Sequence, residues 1–162
     1  MADFDYIIIG AGSAGCVLAN RLSSSGKFKV LLIEAGPTDN RFWVKTPIGY
    51  GMTFHDETIN WAYYTTPETG LGNRQLYWPR GKILGGSSSI NALVYHHGQP
   101  ADYDDWAAAG NPAWDYDAIK PVYDGFEDVI RANTQPVQKG KLSVSDVADE
   151  YHPLKSYFFA MA

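Results

Sequence analysis

A single cysteine, Cys16, stands among 162 residues, which excludes an internal disulfide framework and suits a reducing, cytoplasmic setting. Basic residues are also scarce: 13 Lys and Arg against 18 Asp and Glu leave a net charge of −5. Proteins that hold nucleic acid or anionic lipid do so with a cationic face, so neither is expected as a partner. Long apolar runs are missing too. None approaches the ~20 residues that cross a bilayer, so no transmembrane segment is expected. The opening Met1-Ala2-Asp3-Phe4-Asp5 carries acids where a secretory leader carries bases. What is present, 45% hydrophobic and 19% charged, is the composition of a globular domain long enough to bury its own core.

The chain opens with a strand, a tight turn and a helix. Tyr6-Ile7-Ile8-Ile9 is a β-branched run of the kind buried on both faces of a parallel sheet. Gly10-Ala11-Gly12-Ser13-Ala14-Gly15 interrupts it, and Ala14, Val17, Leu18 and Leu22 then follow at helical spacing. Gly26 is placed to end that helix, and Lys29 to Glu34 reads as a second buried strand. The fold expected is therefore α/β, opening on a Rossmann-like βαβ unit over 3–34. Each part has a physical task. Gly10 permits the turn, Gly12 lets backbone approach a diphosphate, and Gly15 lets helix and strand pack closely. The helix amino terminus offers free N–H groups and the positive dipole end to the anion. Glu34 is placed to accept hydrogen bonds from ribose hydroxyls, and its charge disfavours a 2′-phosphate. This pattern predicts a dinucleotide but does not separate FAD from NAD. Cys16 reads as a small buried residue in preference to a reactive thiol.

Ala35 to Arg80 has no sustained period, contains four prolines, and is rich in aromatics such as Trp43, Trp61, Tyr63, Tyr64 and Trp78. That composition argues for a packed excursion, not disorder. Trp61, Tyr63 and Tyr64 are candidates to contact adenine or gate a pocket, with plain packing as the alternative. Gly85-Gly86-Ser87-Ser88-Ser89 then reads as a second helix start, either a second polar or anion site or an N-cap cluster without a ligand, with Ile90 to Val94 running inward. A helix is expected over Asp102 to Ala109, ended by Gly110. Another, capped by Asp115 or Asp117, is expected to run to Ile130, with Pro121 able to split it. Leu142-Ser143-Val144 is a brief strand, and a last helix starts at His152-Pro153.

Two separate stretches, Asp5 to Gly15 and Arg80 to Tyr95, together with Ala101 to Trp106 and Gly110 to Trp114, resemble the glucose–methanol–choline (GMC) oxidoreductases. The likeness covers the chain from about Asp3 to its end. It implies the amino-terminal FAD-binding part of such an enzyme: the βαβ unit over 3–34, an excursion over 35–80, the family signature over 81–104, and over 105–162 the helical start of a substrate-side region. It further implies that Gly10, Gly12, Ser13, Ala14, Gly15, Glu34 and Ala35 hold the ADP half of FAD. Gly81, Leu84, Gly85, Gly86 and Ser87 would flank the diphosphate and ribityl chain. Asn91, Ala92, Leu93 and Val94 would lie beside the isoalloxazine, with backbone N–H groups stabilising charge on the reduced ring.

Some relatives attach FAD through a histidine just before the motif's asparagine. Ile90 stands there, so non-covalent FAD is expected. The family's catalytic histidine pair has no counterpart among His55, His96, His97 and His152. The adjacent His96 and His97 cannot share a helix face and read as structural or surface residues, and no residue set has metal-ligand spacing. The resemblance thus implies oxidation of a small-molecule alcohol, with O2 or a redox carrier as acceptor. The base would come from a carboxy-terminal part or a second polypeptide. A non-catalytic FAD-binding fragment and a non-redox relative, such as the family's hydroxynitrile lyases, share the same motifs.

Overall fold

The computed structural model describes residues 3–131, 142–146 and 153–161. The chain forms two compact units, residues 1–94 and 95–162. In the first, β1 (Tyr6–Ile9) leads into α1 (Ser13–Ser23) and then β2 (Val30–Ile33). The strands pair in parallel, from Tyr6 opposite Val30 to Ile9 opposite Ile33. A parallel pair needs a crossover, and α1 supplies it. Gly26, at φ +68, turns the chain out of the helix as expected.

One expectation for this unit fails. The strands are not buried on both faces: Ile7 is 61% exposed and Ile9 87%, and only Ile8 is buried. A two-stranded sheet with a single helix covers at most one face, whereas β-branched runs of this kind belong to sheets covered on both. Cys16 is likewise exposed and not buried, its thiol donating to the Ala11 carbonyl at 3.2 Å.

The long excursion is ordered by short elements. It contains α2 (Phe42–Lys45), α3 (Tyr50–Thr53) and an antiparallel pair, β3 (Tyr63–Tyr64) with β4 (Tyr77–Trp78). The core of the unit lies here. Ile59, Ile83 and Ile90 pack together with Val44 against them. Asn60 stitches the same region through four hydrogen bonds. Its Nδ2 donates to the Phe54 carbonyl at 2.8 Å and to the Tyr77 hydroxyl at 3.1 Å. Its Oδ1 accepts from Ala62 N–H at 3.0 Å and Arg80 N–H at 2.9 Å. A buried amide is tolerable only when satisfied in this way. The expected second helix start is only a single 3-10 turn, Gly86–Ser89. Ile90, at φ −127, leaves helical geometry because its side chain joins the Ile59 and Ile83 cluster.

The second unit holds α4 (Pro100–Ala108), α5 (Tyr116–Phe126), β5 (Glu127–Arg131), β6 (Leu142–Asp146) and α6 (Leu154–Ala160). The Asp102 carboxylate accepts from Gln99 N–H at 2.7 Å at the start of α4, and Gly110 follows that helix at φ +104. Asp115 caps α5, accepting from Ala118 N–H at 2.8 Å. Pro121 does not split α5. The helix nevertheless stops at Phe126 instead of reaching Ile130, because Glu127 to Arg131 pair in parallel with Leu142 to Asp146. The brief strand expected at Leu142 is thus present and longer. Pro153 directly precedes α6 without capping it through a side chain, whereas His152 lies outside the described residues.

Candidate cofactor site

The two glycine-rich motifs, far apart in sequence, meet in the first unit. Gly85 N–H donates to the Ala11 carbonyl at 2.8 Å. A Cβ on Gly86 would lie 2.8 Å from the Gly12 Cα, so the two loops touch backbone to backbone. Gly85 and Gly86 adopt φ +89 and +59, the left-handed region that glycine enters at no steric cost. Gly15 fulfils its expected task, since any side chain there would run into the Gly10 carbonyl. Gly10 itself, at φ +96, has no atom within 4 Å of where a Cβ would stand.

The rim of this cradle is made of backbone donors. Gly12 is the N-cap of α1, and no side chain caps the helix, which leaves the first-turn N–H groups of Ser13, Ala14 and Gly15 without intrahelical acceptors. Those donors, with the helix dipole behind them, suit a diphosphate. Glu34, at the end of β2, is half-buried and bound to the turns on either side. Its Oε2 accepts from Ala11 N–H at 2.8 Å and its Oε1 from Gly36 N–H at 3.0 Å. An ionised carboxylate has about four acceptor sites, so each oxygen keeps capacity for a hydroxyl. Ala35 is exposed beside it. The donor set and the open space at Gly10 therefore fit a dinucleotide such as FAD.

The second loop is braced internally. Gly81 N–H donates to Ser87 Oγ at 3.1 Å, Ser88 Oγ to the Gly85 carbonyl at 2.6 Å, and Ser89 Oγ to the Leu84 carbonyl at 2.7 Å. The serine cluster thus serves its own turn. Leu84 N–H reaches the Pro37 carbonyl at 3.0 Å, and a side chain on Gly36 would collide with the Lys82 carbonyl. Sequence reasoning missed both Gly36 and Asn60. The first is visible only as a close approach, whereas a lone amide between Ile59 and Trp61 is a readable sign of a buried polar network. Asn91, Ala92, Leu93 and Val94 are exposed. Asn91 and Leu93 line a small cavity of about 20 Å³ with Trp43, Tyr50, Thr53 and Ser89.

Trp61, Tyr63 and Tyr64 lie at the surface, and Trp61 stacks on Tyr63 with the Lys82 ammonium 4.8 Å from its ring. The described histidines have separate surroundings within their own units. His55 stacks on Tyr77 and His96 is exposed. His97 Nε2 lies 2.7 Å from Glu127 Oε1, to which the Tyr95 hydroxyl also donates, and its ring stacks on Tyr123. Partial desolvation of a side chain that is still 42% exposed, followed by the hydrogen bond to the Glu127 carboxylate, pushes the Tyr95 phenol above its usual range. Among the described residues no three His, Cys, Asp or Glu side chains gather to hold a metal ion, and no helix is long and apolar enough to cross a membrane.

Comparison with known proteins agrees with this geometry. The model for the GMC oxidoreductase family matches residues 4–162. An alcohol dehydrogenase (acceptor) of Pseudomonas putida is 44% identical over 157 residues, which are 96% of this chain and 28% of that protein. Pyridoxine 4-oxidase from Mesorbium loti superposes with a TM-score of 0.84 at 33% identity, covering 98% of this chain and 31% of that one. An FAD-dependent oxidoreductase from Chaetomium thermophilum gives 0.78 at 27% identity, covering 99% and 29%. The chain therefore spans under a third of the length of these relatives. With two signature loops forming one cradle and the family model matched along nearly its whole length, the chain belongs to the GMC oxidoreductase family.

Proposed function

We propose that this chain is the FAD-binding part of an enzyme that oxidises a small-molecule alcohol to an aldehyde or ketone. The observation that carries the reading is the joining of the two glycine loops, with Gly85 N–H on the Ala11 carbonyl, beside an uncapped helix amino terminus. The Ser13, Ala14 and Gly15 N–H groups would hold the diphosphate, and Glu34, fixed by Ala11 and Gly36, would take the ribose hydroxyls. Gly81, Leu84, Gly85, Gly86 and Ser87 would flank the diphosphate and ribityl chain, and Asn91 to Val94 would border the ring. Bound FAD would supply the two-electron acceptor, taking hydride from the carbinol carbon at N5 while the hydroxyl proton passes to a base.

That base is assigned to polypeptide outside these 162 residues. Among the described histidines, His55 and His97 are engaged in stacking and His96 stands alone at the surface. Non-covalent binding is supported by Ile90, which has no nucleophile and is buried in the core. The named relatives include both an acceptor-linked dehydrogenase and an oxidase, so O2 and a redox carrier are both assayed as the acceptor.

The test is an anaerobic absorbance spectrum of the purified chain before and after a panel of alcohols, followed by acid precipitation. A flavin spectrum, with all flavin released into the acid supernatant and no bleaching by alcohol, is the expected result. Bleaching by an alcohol would place a competent base within the chain. Flavin left in the pellet would overturn non-covalent attachment, and no flavin at all would overturn the reading of the cradle.

A further inference from the structure

Three non-glycine residues among those described adopt positive φ: Ala62, Asn73 and Leu93. Two of them share a device. Ala62 N–H is held at 3.0 Å by the Oδ1 of Asn60, two residues earlier, and Leu93 N–H is held at 2.9 Å by the Oδ1 of Asn91, again two residues earlier. An asparagine amide that captures the N–H two positions on is a local brace for a turn. Without one, a γ-branched residue such as leucine disfavours the left-handed region. At Asn60 the brace serves the fold, since that side chain is buried and fully satisfied. At Asn91 it does not serve the core: Asn91 is exposed, Leu93 is 62% exposed, and both border the cavity beside Trp43.

We propose that Asn91 is a positioning residue for the flavin ring. Resting on the reading that Asn91 to Val94 border the isoalloxazine, its carbonyl fixes Leu93 at φ +61 and removes the Leu93 N–H from the donor set. The N–H groups of Ala92 and Val94 are then the donors that the turn presents to negative charge on the reduced ring. The backbone strain at Leu93 sets the direction of those donors, and Asn91 sustains it without touching the core.

The test compares Asn91→Ala, Leu93→Gly and the double variant, because glycine adopts φ +61 without a brace. Two readouts are taken. In the cofactor-free chain, amide hydrogen exchange at Leu93 should accelerate at least tenfold in Asn91→Ala. In the FAD-loaded chain, Asn91→Ala should lose about tenfold in affinity for reduced over oxidised FAD, a drop of about 30 mV in the two-electron midpoint potential. Leu93→Gly in the same chain should restore most of it. A merely structural role for Asn91 would lower melting temperature without moving the potential. An unchanged potential in Asn91→Ala overturns the proposal, and so does a lowered potential that Leu93→Gly leaves uncorrected. If the wild-type chain takes up no FAD, the functional reading falls and the ring assignment with it. Leu93 exchange then reports on the brace alone, and fast exchange in the wild type removes that as well.

Discussion

Replacing Gly86 with alanine probes the contact between the two loops most directly. Residue 86 has φ +59, a conformation that costs an L-residue about 1–2 kcal/mol. The new methyl would stand 2.8 Å from the Gly12 Cα. Carbon atoms pack at about 3.5–4.0 Å, so the loops must part by roughly 0.7 Å or more. Such overpacking costs about 1–3 kcal/mol. The two effects combine to about 2–5 kcal/mol, a large share of the 5–15 kcal/mol typical of a whole domain. For a chain of this size that lowers the melting temperature by roughly 4–20 °C. Gly12→Ala is the informative partner. Gly12 has φ −75, and its Cβ would lie 4.0 Å from the Gly86 Cα, an ordinary contact. The cofactor-free chain should therefore melt within about 0.5 kcal/mol of wild type. On the proposed cofactor reading, its methyl would stand where backbone approaches the diphosphate. Losing one hydrogen bond to a charged group costs about 1.5–3 kcal/mol, or a 10- to 100-fold weaker affinity for FAD. Circular dichroism melts without cofactor and flavin fluorescence titrations measure the two effects separately. A Gly86→Ala chain that melts like wild type would refute the close approach. Equal cofactor-free destabilisation in both variants would refute the division of labour between them.

Asn60→Ala should cost about 2–4 kcal/mol in urea unfolding, since it removes a buried side chain and the partly shielded hydrogen bonds it makes to the Ala62 and Arg80 N–H groups; a loss below about 1 kcal/mol would show the network to be dispensable. Tyr95 ties stability to alkaline pH. Its folded phenol titrates above the ordinary value of 10.0 because of partial desolvation first and Glu127 second, so the unfolded chain ionises first as pH rises. The contribution is complete below pH 10 and declines above it. Tyr123, raised mainly by its hydrogen bond to Tyr103, adds to the same slope. Tyr95→Phe should flatten part of the alkaline decline, and Glu127→Gln should return the Tyr95 phenol towards its usual range in a carbon-13 titration. An unaltered decline in Tyr95→Phe would remove this cluster from the account.

The βαβ unit was legible because its cues are local: a β-branched run, glycines where φ must be positive, and an acid at the next strand's end. Its burial was not, since exposure at Ile7 and Ile9 depends on what else covers the sheet. The same limit explains the second motif. Gly85 to Ser89 has the composition of a helix start, yet Ile90 is drawn into contact with Ile59 and Ile83, and a tertiary contact overrides local propensity. At the end of α5 apolar residues continue at helical spacing through Val129 and Ile130, so only the pairing with Leu142 to Asp146 reveals a strand. The candidate site residues were legible only as two separate groups along the chain. That Gly12 and Gly86 face each other is a three-dimensional fact with no periodic trace.

The abutment of Gly36 on the Lys82 carbonyl, with Leu84 N–H on that of Pro37, has a consequence for engineering. In βαβ dinucleotide folds the residues at the end of the second strand read the ribose, so a change of nucleotide preference alters that segment. Here that segment is keyed to residues 82–84, so a graft of 34–37 alone would bring in a side chain with nowhere to go. Any exchange of cofactor specificity in this chain must carry both stretches as one interlocked cassette.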